Sequence, residues 1–505
     1  MNKKTEPIII NTDNLNVPVR QGDLWNNRSA SYQFYDGIDV PKCSIMVLGY
    51  HRFIKTKYCV ECILKYTQDV DYELILIDND SDDETFTYFQ TVPHQNKKII
   101  RITKNIGIAF ALNYVSNIFC GKYLVFVSND VYVTKNWLSN LLKCYESDKQ
   151  IGFAMPVSSK TSNLQQVDLN YTNFDEMQKK AALFNKSDSS KWEERIRLIS
   201  IISIYTRPVL DIIGTFDSAY IHDFSEDDFA MRLRRSGYKL VLCKDTWVCH
   251  DHDIRKGEDK DPIKHNQSLK IGRDIFRRKY HDIDAWDDIV NFELVMLSQL
   301  KINHHTGGKI ISLAIDARCG TPVLEIRNKL RQQGISDIES QAFTTQAKYY
   351  LDLQTVCDEV VCDRIDFIQT HYSENTFDVI ALCEPLNTYP VPVTLLQNIY
   401  GMLRSGGLLL FKLRNTDDYN SFLRMTGYRS VEENDIPAVL HVHDVCECLA
   451  LFGGQNINVI SEREKINETI KSQLLNLLHA ANPASDDNTF ARLITKNYVF
   501  KVTKG

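Results

Sequence analysis

The stretch KYLVFVSNDVYV, residues 122–133, decides how the chain is read. Residues 123–127 are continuously apolar and β-prone, break at Ser128, Asn129 and Asp130, and resume as a short run at 131–133. A strand apolar on both faces belongs to a mostly parallel sheet covered by helices on either side. Such sheets hold ligands at the carboxyl ends of their strands. Asp130 stands at such an end, where a carboxylate can hold a divalent metal ion against a diphosphate. Asn and Asp also favour plain turns, so the reading of Asp130 depends on its surroundings.

Upstream, CSIMVL (43–48) predicts a strand leading into Gly49, Tyr50, His51 and Arg52, and residues 53–66 show helical spacing of apolar side chains. YELILI (72–77) predicts a second strand, ending in the acidic run Asp78, Asn79, Asp80, Ser81, Asp82, Asp83. An acid just past a strand is placed to bind a ribose or a base. For Asp82 and Asp83 a solvated turn is the preferred reading. A third strand (98–102) precedes Asn105 and Gly107, which open a helix reaching about residue 119. Glycine lets the backbone approach a partner closely, and a helix start favours anions. The alternation of strands and helices predicts an α/β fold.

Downstream, a helix (137–145) and a strand (151–157) precede a polar stretch, 158–191, expected as a mobile flap over the site. Glu226, Asp227 and Asp228 open a helix that ends at Gly237. Acids at a helix start gain from the macrodipole and from capping. The chemical reading makes one of them a general base toward a hydroxyl, the others positioning or binding the acceptor. His250 closes a short extended run, and neutral imidazole suits Mn2+-like ions. Across a cleft from Asp130 it is a candidate second ligand.

The totals set outer limits. At 505 residues the chain exceeds one ordinary core, so two or three domains are expected. A net charge of -6 supplies no basic field for nucleic acid. Thirteen scattered cysteines with one CxxC (Cys59, Cys62) and one CxC (Cys446, Cys448) lack zinc-site spacing, so free thiols in a reducing cytoplasm are expected. The run Ile8, Ile9, Ile10 is too short for a signal segment, and no apolar run approaches the roughly 20 residues of a membrane span. Membrane contact is expected to be peripheral at most. Residues 1–40 read as a polar arm without chemistry.

Residues 43 to about 285 resemble a family 2 glycosyltransferase with the GT-A fold. The resemblance rests on SIMVLGYHR, LILIDNDSDDET, NIGIAFALN, VFVSNDV, FSEDDFAMRLRRSGYKL and TWVCH, in the family's order, with the tail FRRKYHDIDAWDD after them. It implies a nucleotide-sugar donor (uridine by default), a divalent metal (Mn or Mg) and inversion at the anomeric carbon. It implies that Tyr50 and Asp78 hold the nucleotide base with Asp80 assisting, and that Asn105, Gly107 and Asn129 line the donor. Asp130 would bind the metal with His250. Glu226 or Asp227 would be the base, and Asp228 would face the acceptor. Two departures stand out: Ser128 replaces the first acid of D-x-D, and the acid trio is shifted by one residue against the commonest spacing.

After a helical connector at 289–307, the strand–helix rhythm restarts. Residues 308–505 are similar to the class I, S-adenosylmethionine-dependent methyltransferase fold, on FDVI, an SGG turn before a strand, and a helix ending in Phe452 and Gly453. The family's D-x-G-x-G-x-G loop reads DARCGTP here, so Arg318 and Pro322 replace glycines. A large cation and a proline that lacks an N–H argue against the cofactor. A degenerate domain for acceptor docking or homo-oligomer formation is the expectation.

The sequence thus predicts an N-terminal arm (1–40), a GT-A domain (41–288), the connector, and a Rossmann-like methyltransferase-type domain (308–505). The expected activity is transfer of a hexosyl or N-acetylhexosaminyl group to a hydroxyl of a surface glycan, a lipid-linked glycan or a protein. A bifunctional glycosyltransferase–methyltransferase would bind adenosylmethionine despite Arg318. A decayed nucleotide-sugar-binding scaffold would keep its biological activity after Asp130→Ala and Asp227→Ala.

Overall fold

The apolar runs of the first half assemble edge to edge into one sheet. The computed structural model describes residues 6–12, 41–105, 107–116, 118–217, 219–220, 223–252, 262–302, 308–421, 438–481 and 486–505. The chain divides into two compact units, Met1–Val290 and Asn291–Gly505.

The strands of the first unit are β1 (Ile8–Ile10), β2 (Cys43–Gly49), β3 (Tyr72–Asn79), β4 (Lys97–Ile102), β5 (Tyr123–Ser128), β6 (Val131–Tyr132), β7 (Ile151–Ser158), β8 (Trp192–Arg195), β9 (Ile202–Thr206) and β10 (Lys239–His250). They run in the order β1-β4-β3-β2-β5-β9-β7-β10-β6, with β8 paired to β10. β2 lies between β3 and β5, parallel to both, with Gly49 opposite Asp78 and Leu48 opposite Ser128. The carboxyl ends of these three strands therefore share one edge, and the loops after Gly49, Asn79 and Ser128 open on the same side. Burial explains the absence of alternation: Ile45, Met46 and Val47 of β2, Leu74 to Ile77 of β3, and Val125 and Val127 of β5 are all inaccessible to solvent.

Two expectations are corrected. The first residues are not all arm: Ile8–Ile10 extends the sheet parallel to β4, Ile8 opposite Ile100, and the Thr12 hydroxyl donates to the Lys104 carbonyl at 2.7 Å. Residues 13–40 lie outside the described residues. The polar stretch 158–191 is not a loose flap. Met177 and Ala181 of its helix Phe174–Phe184 are buried, and the Asn173 side chain caps that helix by accepting the Glu176 N–H at 2.9 Å. Asn185 is fully buried; it donates to Thr134 Oγ1 at 2.9 Å and accepts the Trp247 N–H at 2.8 Å. The stretch is polar because its side chains satisfy backbone groups of β10 and its neighbours.

The second unit holds β11 (Ile310–Ile315), β12 (Ile338–Thr344), β13 (Glu359–Cys362), β14 (Phe377–Leu382), β15 (Leu403–Arg414), β16 (Gly454–Arg463) and β17 (Thr495–Lys504). Their order is β13-β12-β11-β14-β15-β17-β16, with β17 antiparallel to both neighbours. This doubly wound arrangement, 3-2-1-4-5-7-6, is the Rossmann-like methyltransferase-type sheet. In the stretch expected as a helical connector, only Leu294–Ser298 is helical among the described residues. Glu293 pairs there with Lys412 of β15 at 2.7 Å. Residues 303–307 of that stretch lie outside the described residues. Among the described residues no helix is long and apolar enough to cross a membrane, and all thirteen cysteines are free thiols.

Candidate functional site

Asp130 lies two residues past the end of β5 and is buried. The two-residue strand β6 pairs antiparallel with the end of β10, His250 opposite Val131, and the Asp251 N–H donates to the Asp130 carbonyl at 2.8 Å. That short pairing carries two histidines to the carboxylate. His250 Nε2 lies 3.5 Å from Asp130 Oδ1 and His252 Nδ1 lies 3.5 Å from Oδ2, and the two rings stack with centroids 5.0 Å apart. All three ligand atoms fall within 4.8 Å of one another. His250 Nδ1 sits 2.6 Å from the Lys160 carbonyl, an acceptor, so the ring proton belongs on Nδ1 and the Nε2 lone pair turns to the cluster. Burial raises the Asp130 pKa, but the adjoining His250 and His252 rings and the Ser128 hydroxyl together outweigh it and hold the carboxyl well below the usual range. An ionised carboxylate with two imidazoles fits a divalent ion of the Mn2+ kind. Ser128 does not substitute for an acid; its hydroxyl donates to Asp130 Oδ1 at 2.9 Å. Arg52 Nη1 approaches Oδ2 at 3.3 Å.

On the same edge of the sheet, Asp78 is the penultimate residue of β3 and has no solvent exposure. Its Oδ1 accepts the Ser81 N–H at 3.3 Å, Arg101 Nε lies 3.6 Å from Oδ2, and Oδ2 receives no hydrogen bond. Burial raises its pKa, against the opposing pull of Ser81 and Arg101. A buried acceptor left open costs stability unless a ligand completes it. Asp80, at φ 68°, accepts the Asn105 N–H at 3.1 Å; Asn105 Oδ1 accepts the Gly107 N–H at 3.0 Å and Asn79 Nδ2 at 3.1 Å. Gly107, at φ 103°, stands at the start of the helix Ile108–Val115. Asp80, Asn105 and Gly107 therefore form one hydrogen-bonded loop pair joining β3 to that helix. Tyr50 is 44% exposed and its ring lies against His51, centroids 4.1 Å apart. Asn129 turns toward the helix Phe53–Tyr66, donating to Thr56 Oγ1 at 2.9 Å. Asp83 caps backbone, accepting the Phe53 N–H at 2.9 Å and the Thr85 N–H at 3.0 Å.

The acid trio opens the helix Ser225–Arg235, and its members stand in three different settings. Asp228 is fully buried: Arg232 Nε lies 2.9 Å away, Lys279 Nζ 2.5 Å, and the Tyr280 hydroxyl donates to Oδ1 at 2.7 Å. Those partners bind the helix to the tail of the domain, which is a structural role. Asp227, also buried, is ion-paired to Arg197. Glu226 is half-buried and accepts the Ser200 N–H at 3.2 Å.

His252, Arg197 and Arg52 were not singled out in the sequence. His252 had a signal: residues i and i+2 of an extended chain face the same side, so His250 and His252 point together. Arg197 and Arg52 had none, because their partners Asp227 and Asp130 are distant in sequence.

The glycosyl transferase family 2 model matches residues 44–197, which lie within the first unit. No curated protein matches the chain. Among solved structures the chain is similar to a mannosyltransferase from Pyrobaculum calidifontis in complex with GDP-Man and Mn2+, at 17% identity over 53% of this chain and 76% of that one, TM-score 0.36. It is similar to GalNAc-T7 with UDP, GalNAc and Mn2+ at 14% identity over 42% of this chain and 43% of that one, TM-score 0.34. A SAM dependent methyltransferase from Archaeoglobus fulgidus shares 14% identity over 46% of this chain and 98% of that one, TM-score 0.30.

Proposed function

We propose that the protein is an inverting, metal-dependent glycosyltransferase that moves one sugar from a nucleoside diphosphate donor to a hydroxyl of a glycan or protein. The observation that carries this reading is the Asp130–His250–His252 cluster at the carboxyl edge of a family 2 domain. A divalent ion held there would neutralise the charge that develops on the departing diphosphate.

The chain's own groups supply the rest. Asp78 Oδ2, buried and lacking a donor, accepts an N–H of the nucleotide base, and Tyr50 offers an exposed ring for that base to lie against. Asp80 and Asn105 hold the loop in which Gly107 lets the donor approach. Glu226 takes the acceptor proton: it keeps solvent access, whereas the oxygens of Asp227 and Asp228 are engaged in buried ion pairs. Attack from the face opposite the leaving diphosphate inverts the anomeric centre, as in any single displacement. The thirteen free thiols support a reducing, cytoplasmic location.

Incubation of purified protein with a panel of nucleotide sugars and Mn2+ or Mg2+, with released nucleoside diphosphate as readout, tests this reading and names the sugar. Release from one donor is expected, abolished by chelator. Release that persists unchanged in chelator would refute the metal dependence.

A further inference from the structure

The second unit has the sheet of an adenosylmethionine-dependent enzyme, but its residues do not fit that cofactor. The loop after β11 keeps the left-handed backbone of a glycine-rich turn, with Asp316 at φ 51°, Arg318 at 49° and Gly320 at 102°. Its side chains close the crevice. Arg318 Nε reaches Glu384, just past β14, at 2.8 Å. Asp316 is consumed by the Thr345 N–H at 2.7 Å, the Thr345 hydroxyl at 2.9 Å and the Tyr389 hydroxyl at 2.7 Å. A Cβ on Gly320 would stand 2.6 Å from Val356, so the glycine that remains serves packing. Pro322 removes an N–H from the first turn of the helix Thr321–Gln332.

An opening lies elsewhere, at the carboxyl end of β15, as a cleft of about 270 Å3. This is below the roughly 300 Å3 at which pockets for drug-sized ligands begin, so it suits a monosaccharide-sized body. Leu413, Leu440, Val442 and Tyr498 give it an apolar side, and Arg414 and Arg492 give it charge. Arg492 shares its guanidinium with Asp417 at 3.3 Å. Arg414 is half-buried, and among the described residues its guanidinium has no carboxylate partner. Among the described residues lining the cleft, two guanidinium groups stand against the one carboxylate of Asp417. A pyranose carrying a phosphoryl group matches this lining, with a carbon face, hydroxyls and one anionic end. We propose that the second unit binds a sugar phosphate in the cleft of Arg414 and Arg492, and does not bind adenosylmethionine in the crevice that Arg318 and Glu384 close.

The test is calorimetric titration of the full chain in excess chelator with glucose 1-phosphate, glucose, inorganic phosphate and adenosylmethionine. Glucose 1-phosphate is expected to bind. Arg414→Gln should weaken it about tenfold or more, the loss of one charge-assisted hydrogen bond, while Asp130→Ala leaves it unchanged. Loss of binding in Asp130→Ala would place the ligand in the first unit and overturn the proposal. So would binding of adenosylmethionine, an unaffected Arg414→Gln variant, or no binding of glucose 1-phosphate. Phosphate binding as tightly as the sugar phosphate would refute the sugar component. If Arg414→Gln loses its native circular dichroism, Arg492→Gln is read in its place with the same expectation.

Discussion

Asp78 and Asp130 are both buried carboxylates at strand ends, yet their surroundings push them in opposite directions. Burial dominates at Asp78 and raises its pKa, whereas at Asp130 burial is outweighed by the adjoining imidazoles and the Ser128 hydroxyl together, which lower it. A group whose folded pKa is raised supports the fold below its unfolded pKa and loses that contribution as pH rises through the folded value. Asp78→Asn should therefore raise the melting temperature relative to wild type as pH climbs above the carboxylate range. It should also weaken nucleotide binding; melting curves at several pH values and a nucleotide titration check both. The acid trio separates the same way. Glu226→Gln should leave melting unchanged and cut turnover about 100-fold or more. Asp228→Ala, which strands Arg232 and Lys279 around a buried site, should cost about 3–5 kcal/mol in denaturant unfolding. Asp130 was legible in the sequence because a continuous apolar strand delivers it. The different fates of Glu226, Asp227 and Asp228 were not, because they depend on Arg197, Lys279 and Tyr280, which arrive from other segments.

Strands with unbroken apolar runs, such as β2, β3 and β5, were plain from composition and length. The segment 158–191 was misread because its polar side chains serve the backbone: Asn185 takes the Trp247 N–H at 2.8 Å, and the Ser159 hydroxyl accepts the His250 N–H at 3.0 Å. Serine- and asparagine-rich sequence looks the same whether it is solvated or used for such bonds. β1 was missed for a simpler reason, since three isoleucines fall below the length at which periodicity can be scored. Asn185→Ala should cost about 1–3 kcal/mol by leaving the buried Trp247 N–H unpaired. Asn173→Ala, at the helix cap, should cost about 1 kcal/mol. Chemical denaturation of the two variants checks the order.

At the scale of the molecule, each unit has its own sheet and its own buried core. Calorimetry of the full chain should resolve two transitions, and UDP with Mn2+ should shift only the one that belongs to the first unit. The second fold was recognisable from its strand rhythm and its FDVI and SGG segments. The closure of its crevice was only half visible. Arg318 was conspicuous where a glycine belongs, but its partner Glu384 is known only once β11 and β14 lie side by side.

In the proposed function, Asp130, with His250 and His252, couples a divalent ion to diphosphate binding. Isothermal titration of UDP and GDP into the wild type and Asp130→Ala, with and without Mn2+, tests it most directly. One of the two nucleotides is expected to bind the wild type only when Mn2+ is present, and this binding is expected to be lost in Asp130→Ala. Equal binding by the two proteins, or binding indifferent to Mn2+, would contradict it.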